Sequence, residues 1–173
     1  MNNIATQAKL DMLKDLGFVF RIPGGSSRTG SHSSYALIPR FSEGDAQLLV
    51  VPYNPSVLFQ RKYDEEEFDE DPKGALELKT LEQTGVRIPE YHLVGEQVAK
   101  NNRQEVKRDK HIKHVFYIDV YDDSNIRDVA SPDKRLDPPL WVPIDLLEEY
   151  LCPQHKWILE LFFKEIAPRL CEH

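Results

Sequence analysis

Lys79, Glu82 and Gln83 fall three and four positions apart in a stretch that opens with Pro72 and closes at Gly85. Proline suits the first turn of a helix and glycine its end, so the spacing predicts one helix between them. Residues so spaced on a helix project side by side, which makes these three a small polar patch. The same periodicity turns Ala75, Leu78 and Leu81 inward. Chemically the patch is mixed. A carboxylate ligates hard divalent cations and a carboxamide oxygen is a weak neutral ligand. An ammonium cannot ligate, and Lys79 would set positive charge beside any cation held there.

Seven acids fill the eight positions from Asp64 to Asp71, interrupted by Phe68, immediately before the helix. Together Asp64 to Val86 resembles the signature of the Nudix pyrophosphohydrolases: Gly, five residues to a Glu, then seven to Arg-Glu-apolar-x-Glu-Glu-x-Gly-apolar. Counting back from Gly85 and Val86 sets the register without gaps. Glu70 then holds the isolated Glu position and Glu82 the first of the paired Glu positions. The departures are Asp64 for Gly, Leu78 for Arg, Lys79 for the first Glu, Thr80 for the apolar residue and Gln83 for the second paired Glu. Leu78 also removes the Arg that would brace Glu70. The resemblance implies Mg2+ or Mn2+ held by helix carboxylates against a diphosphate. One of three such helix carboxylates survives here, so a degenerate, impaired metal site is expected.

Other residues could complete such a site. Glu82 and Glu70 are the catalytic and metal-ligating candidates, and Glu96 and Asp119 are strand carboxylates that could approach the helix. Arg40, Lys79, Gln83 and Tyr117 are the candidates for holding a ligand. Arg40 ends a strand at a place where, by the resemblance, substrate phosphates are met. Tyr117 and Tyr121 could stack on a base or serve as packing. His111, His114 and His155 show no metal spacing with a third ligand. The Lys107, Arg108, Lys110 and Lys113 cluster, interleaved with Glu105 and Asp109, reads as a soluble loop.

Around these residues, Thr6 caps a helix bearing Leu10, Leu13 and Leu16 and closed by Gly17. The Gly24-to-Ser31 region reads as a flexible loop. It lacks the Gly-Lys-Ser/Thr of a phosphate loop. Ser34 to Phe41 and Ala46 to Val51 form a hairpin about Ser42 to Asp45, and Val57 to Tyr63 a further strand. Arg87 to Gln97 and the alternating His114 to Tyr121 are strands separated by a loop from Lys100 to Lys113. A Trp141-to-Ile144 strand, a short helix and a final helix with Ile158, Leu161, Phe162 and Ile166 close the chain. The order resembles a Nudix-like α/β/α sandwich with a mixed β-sheet over Ser33 to Ile166. It implies an α/β domain spanning 33–173, with residues 1–32 packing on it as an N-terminal helix and Gly/Ser-rich loop.

Composition bounds the function. With 173 residues and 40% hydrophobic content the chain can fill one core. A net charge of −7 argues against nucleic acid and anionic membranes as partners. No stretch has membrane-spanning length or signal-peptide character, and Cys152 and Cys171 read as free thiols in a reducing compartment, so the expected location is the cytoplasm. Phe163 exceeds what one buried helix face needs, which allows a homodimer contact. Two function classes follow. One is a hydrolase-like pseudoenzyme with little or no activity that binds a nucleotide, a nucleoside-diphosphate-like molecule or a protein partner. The other is an active Mg2+- or Mn2+-dependent hydrolase of a nucleoside diphosphate derivative, in which Glu82 and Glu70 act with Glu66, Glu67 or Glu96.

Overall fold

A computed structural model describes residues 3–26, 32–42, 44–57, 72–100, 110–128 and 134–170. The expected strand as far as Tyr63, the acidic run with Glu66, Glu67 and Glu70, most of the basic loop, and Cys171 lie outside these residues. The chain runs α1 (Asn3–Asp15), β1 (Val19–Arg21), β2 (Gly24–Ser26), β3 (His32–Leu37), β4 (Pro39–Ser42), β5 (Asp45–Tyr53) and α2 (Pro72–Thr84). It continues through β6 (His92–Lys100), β7 (Lys110–Tyr117), β8 (Leu140–Pro143), α3 (Ile144–Tyr150) and α4 (Lys156–Leu161). A π turn over Phe162–Ile166 leads from α4 into α5 (Ala167–Leu170).

Two four-stranded sheets result. In one, β5 pairs antiparallel with β1, β4 and β8. The other has the order β2-β3-β7-β6 and is mixed, because β3 and β7 run parallel while both outer pairs are antiparallel. Residues 3–26 thus supply a strand to each sheet. The Gly24–Ser26 stretch expected as loop is β2, hydrogen-bonded in register to Ser33–Tyr35. The Lys110–Lys113 segment, also expected as loop, is paired strand, because β6 runs on to Lys100 and offers it a ladder.

Alternation along the strands divides the interior in two. Leu48 and Val50 of β5 and Val115 of β7 join Leu10 and Leu13 of α1, Leu147 of α3, and Ile158, Leu159 and Phe162 at the C-terminal end. Leu49 and Phe116 face the other way, onto Leu76, Val86 and Ile88. Helices therefore cover both sides, the α/β/α layering expected from the sequence. Among the described residues no helix is long and apolar enough to cross a membrane.

The buried face of α2 differs from the one the sequence favours. Ala75, Leu76, Thr80 and Thr84 are buried, whereas Leu78 is half-buried and Leu81 exposed. A helix seated over β2 and β3 buries whichever stripe meets those strands, and here the stripe includes two threonines. Thr84 satisfies its hydroxyl at Thr80 O and receives Val86 N–H, which fixes the helix end. Gly85 follows with φ of 79°, and a Cβ there would sit 2.2 Å from Asn125 O, so only glycine closes this turn.

Candidate functional site

The polar patch on α2 faces β2, the edge strand of the mixed sheet. Gln83 is clamped to it: its Oε1 accepts from Gly24 N–H at 2.9 Å and its Nε2 donates to Gly24 O at 2.8 Å. The stem of Lys79 lies over the neighbouring Gly25. Lys79 Nζ is 3.8 Å from Glu82 Oε2, with Glu82 the more exposed partner. An ion pair this exposed contributes little stability, about 0–1 kcal/mol. Arg127 closes the helix end, donating from its side chain to Gln83 O and to Asp137 O and from its backbone to Thr84 O. Among the described residues Glu82 is the carboxylate of this face. Gly24 O accepts from the Gln83 amide, and the Lys79 side chain lies next to it over Gly25. Among the described residues, one carboxylate beside an amide and an ammonium is a poor donor set for a hard divalent ion.

The clamp predicts its own mutant. Gln83→Glu substitutes an acceptor for the amide donor and leaves Gly24 O facing a carboxylate oxygen. Urea titration should show a loss of about 1–3 kcal/mol, the cost of an unmet partly buried hydrogen bond. Unchanged stability would mean the clamp carries no weight.

Arg40 and Trp141 form a second feature, on the α2 side of the antiparallel sheet. Arg40 pairs across β4 and β5 with Gln47, whose Oε1 accepts from Nε at 3.1 Å and from a terminal nitrogen at 2.8 Å. The guanidinium lies 4.5 Å from the Trp141 ring centre, and Tyr121 flanks that indole at 6.1 Å. Tyr121 is fixed by donating to Pro39 O. A stacked, hydrogen-bonded guanidinium is pre-oriented, so it can grip a phosphate or carboxylate at little further entropic cost.

The other candidates lie elsewhere. Tyr117 turns to the face opposite α2, packed against the α1/α3/α4 core, and burial raises its hydroxyl above the ordinary tyrosine value. Glu96 belongs to β6, three strands from β2 or about 14 Å at the usual strand spacing. It meets His114 instead, with Oε2 3.1 Å from Nδ1. The structure thus brings Lys79, Glu82 and Gln83 together, sets Arg40 on the same side of the molecule, and leaves Tyr117 and Glu96 apart from them.

Three groups escaped the sequence. Gly24 as the partner of Gln83 is 59 residues distant, and no local pattern links them. His32 meets His114 through its ring nitrogen, Nδ1 to Nε2 at 3.0 Å, again from distant segments. Glu90, His92 and Asp119 bring ligand atoms within 4.8 Å of one another, all exposed, and the i,i+2 spacing of Glu90 and His92 at a strand start was a usable signal. The thiol of Cys152 is buried and its pKa pushed up by that burial, which rules out a ready nucleophile.

Searches with family models and against curated proteins gave no match. Solved structures did. The Nudix domain of Shewanella oneidensis NrtR, in a cocrystal with ADP ribose, superposes with a TM-score of 0.52 at 15% identity, over 79% of this chain and 88% of that one. A MutT protein from work on Aliivibrio salmonicida and Vibrio cholerae gives 0.51 at 12% identity, over 78% and 97%. The chain has the Nudix fold. At these identities the likeness concerns architecture alone.

Proposed function

We propose that this chain is a Nudix-fold binding protein with little or no pyrophosphohydrolase activity. Its ligand would be a nucleotide, a nucleoside-diphosphate-like molecule or a protein partner, held on the α2 side of the sheets. The observation that carries the proposal is the two-way hydrogen bonding of Gln83 to Gly24, with Lys79 paired to Glu82 beside it. These contacts pair, without metal, the described polar side chains of this helix face. Arg40 on Trp141 supplies the positive, aromatic-backed contact such a ligand needs. A reducing, cytoplasmic setting belongs to the same reading.

ADP-ribose, present with the Shewanella domain, is the first probe. Without Mg2+, ADP-ribose at about a hundred times its dissociation constant should add about 2.7 kcal/mol and raise the melting temperature by roughly 5–10 °C. Arg40→Ala should remove most of that rise. With Mg2+ or Mn2+, a panel of nucleoside diphosphate derivatives should show no turnover. Hydrolysis that Glu82→Gln abolishes would establish instead an active enzyme with substitute carboxylates.

A further inference from the structure

On the face of the mixed sheet that carries α2, three titratable side chains from three adjacent strands form one chain. Glu96 of β6 lies directly opposite His114 of β7, with its Oε2 3.1 Å from His114 Nδ1. His114 Nε2 lies 3.0 Å from Nδ1 of His32 on β3, and the rings are 30° from parallel. His32 shares its sheet face with Ser34, whose hydroxyl donates to Pro72 O at the start of α2. His111, by contrast, meets Ser33 on the opposite face.

The carboxylate imposes a direction on this chain. Glu96 accepts, so His114 Nδ1 carries the proton and His114 Nε2 presents its lone pair toward His32. With its proton on Nδ1 His32 donates to His114 Nε2; with the proton shifted to its Nε2, two lone pairs converge from adjacent strands. A histidine whose far nitrogen donates to a carboxylate is the usual partner arrangement of a metal-bound imidazole, since it fixes the tautomer and raises basicity.

We propose that His32 Nδ1 and His114 Nε2 form a two-imidazole seat for a borderline divalent transition ion of the zinc class, with Glu96 orienting His114. Zinc–nitrogen bonds of about 2.0–2.1 Å in a tetrahedron set the nitrogens about 3.3–3.4 Å apart, so the pair must open by only about 0.3–0.4 Å. His114 is 8% exposed and pins one donor, while half-buried His32 is the more accessible of the two. The proton on His32 Nδ1 passes through solvent to its Nε2, so both ligating imidazoles stay neutral. Water or an oxygen of an anionic ligand would fill the remaining positions. Imidazole pairs select zinc, copper or nickel over Mg2+, which prefers oxygen, so this seat is independent of the α2 patch and of the reading given for it.

The test titrates the full chain with ZnCl2 by calorimetry and with Co2+ by absorption. The expected result is one ion per chain, a tetrahedral cobalt spectrum, and no displacement by excess Mg2+. Binding should weaken at least a hundredfold in His32→Ala, and 10–100-fold in Glu96→Gln, as for other carboxylates behind a ligand histidine. His92→Ala should bind as wild type does. Zinc should also shift the His32 and His114 imidazole nitrogen resonances of the unmodified protein and leave those of His155 in place, a readout that needs no variant. The seat is refuted if the wild-type chain takes neither ion or if the His32 and His114 resonances stay still. It is equally refuted if binding survives His32→Ala undiminished, or if it disappears in His92→Ala or Glu82→Gln instead.

Discussion

Replacing Gly24 with alanine should lower the unfolding free energy by about 4 kcal/mol or more, a large part of the roughly 5–15 kcal/mol that holds a domain folded. Gly24 sits at φ of 137°, a conformation that residues with a Cβ rarely adopt. A Cβ there would lie 2.0 Å from Ser34 O and 2.8 Å from Tyr35 Cα, both main-chain atoms of the neighbouring strand. Relief requires β2 to move off β3, and moving β2 breaks both Gln83 hydrogen bonds. Gly44 provides the comparison. Its φ of 83° is also positive, yet nothing lies within 4 Å of its would-be Cβ. Gly44→Ala should cost only the backbone strain, about 1–2 kcal/mol. Urea unfolding of the two variants tests the point, and similar losses would show that close packing of β2 is not what fixes Gly24.

Acid should weaken the fold through His155. This residue is 3% exposed; its Nδ1 accepts from Ile22 N–H at 2.9 Å and its ring packs edge-on to Tyr35 at 4.8 Å. Burial first, then the nearby positive charges of Arg21 and Lys113, lowers its pKa from 6.5 to about 3. Protonation at Nδ1 would also replace an acceptor with a second donor facing Ile22 N–H. The sign follows from proton counting. Between pH 6.5 and 3 the unfolded chain binds a proton that the folded chain refuses, so stability is whole above about pH 6.5 and falls as pH drops toward 3. The slope approaches about 1.4 kcal/mol per pH unit, which gives a loss of about 2 kcal/mol between pH 7 and pH 5. His155→Gln keeps an acceptor for Ile22 without the titration. It should be less stable at pH 7 and lose about 2 kcal/mol less on acidification. His114, whose pKa burial also lowers, acts in the same direction and leaves a residual slope in both proteins. Parallel stability-against-pH curves for wild type and His155→Gln would refute the assignment.

Much of this molecule is written locally. Pro72 and Gly85 bound α2 because one residue lacks the N–H that a first turn does not use and the other tolerates the positive φ of a helix end. The alternation in β7 predicts two unlike faces, and the structure shows Val115 in one core and Phe116 in the other. The shared face of Lys79, Glu82 and Gln83 is likewise visible by counting along the helix from Gly85. Tertiary structure decided what those residues meet. Helical periodicity gives a face but not its orientation, and the position of β2 and β3 buried Thr80 and Thr84 in place of Leu78 and Leu81. Strand order is a long-range outcome too, since hydrogen-bonded ladders can join segments far apart in the chain. It carried Glu96 to the far edge beside His114, drew His32 to the same place through the parallel pairing of β3 with β7, and delivered Gly24 to Gln83.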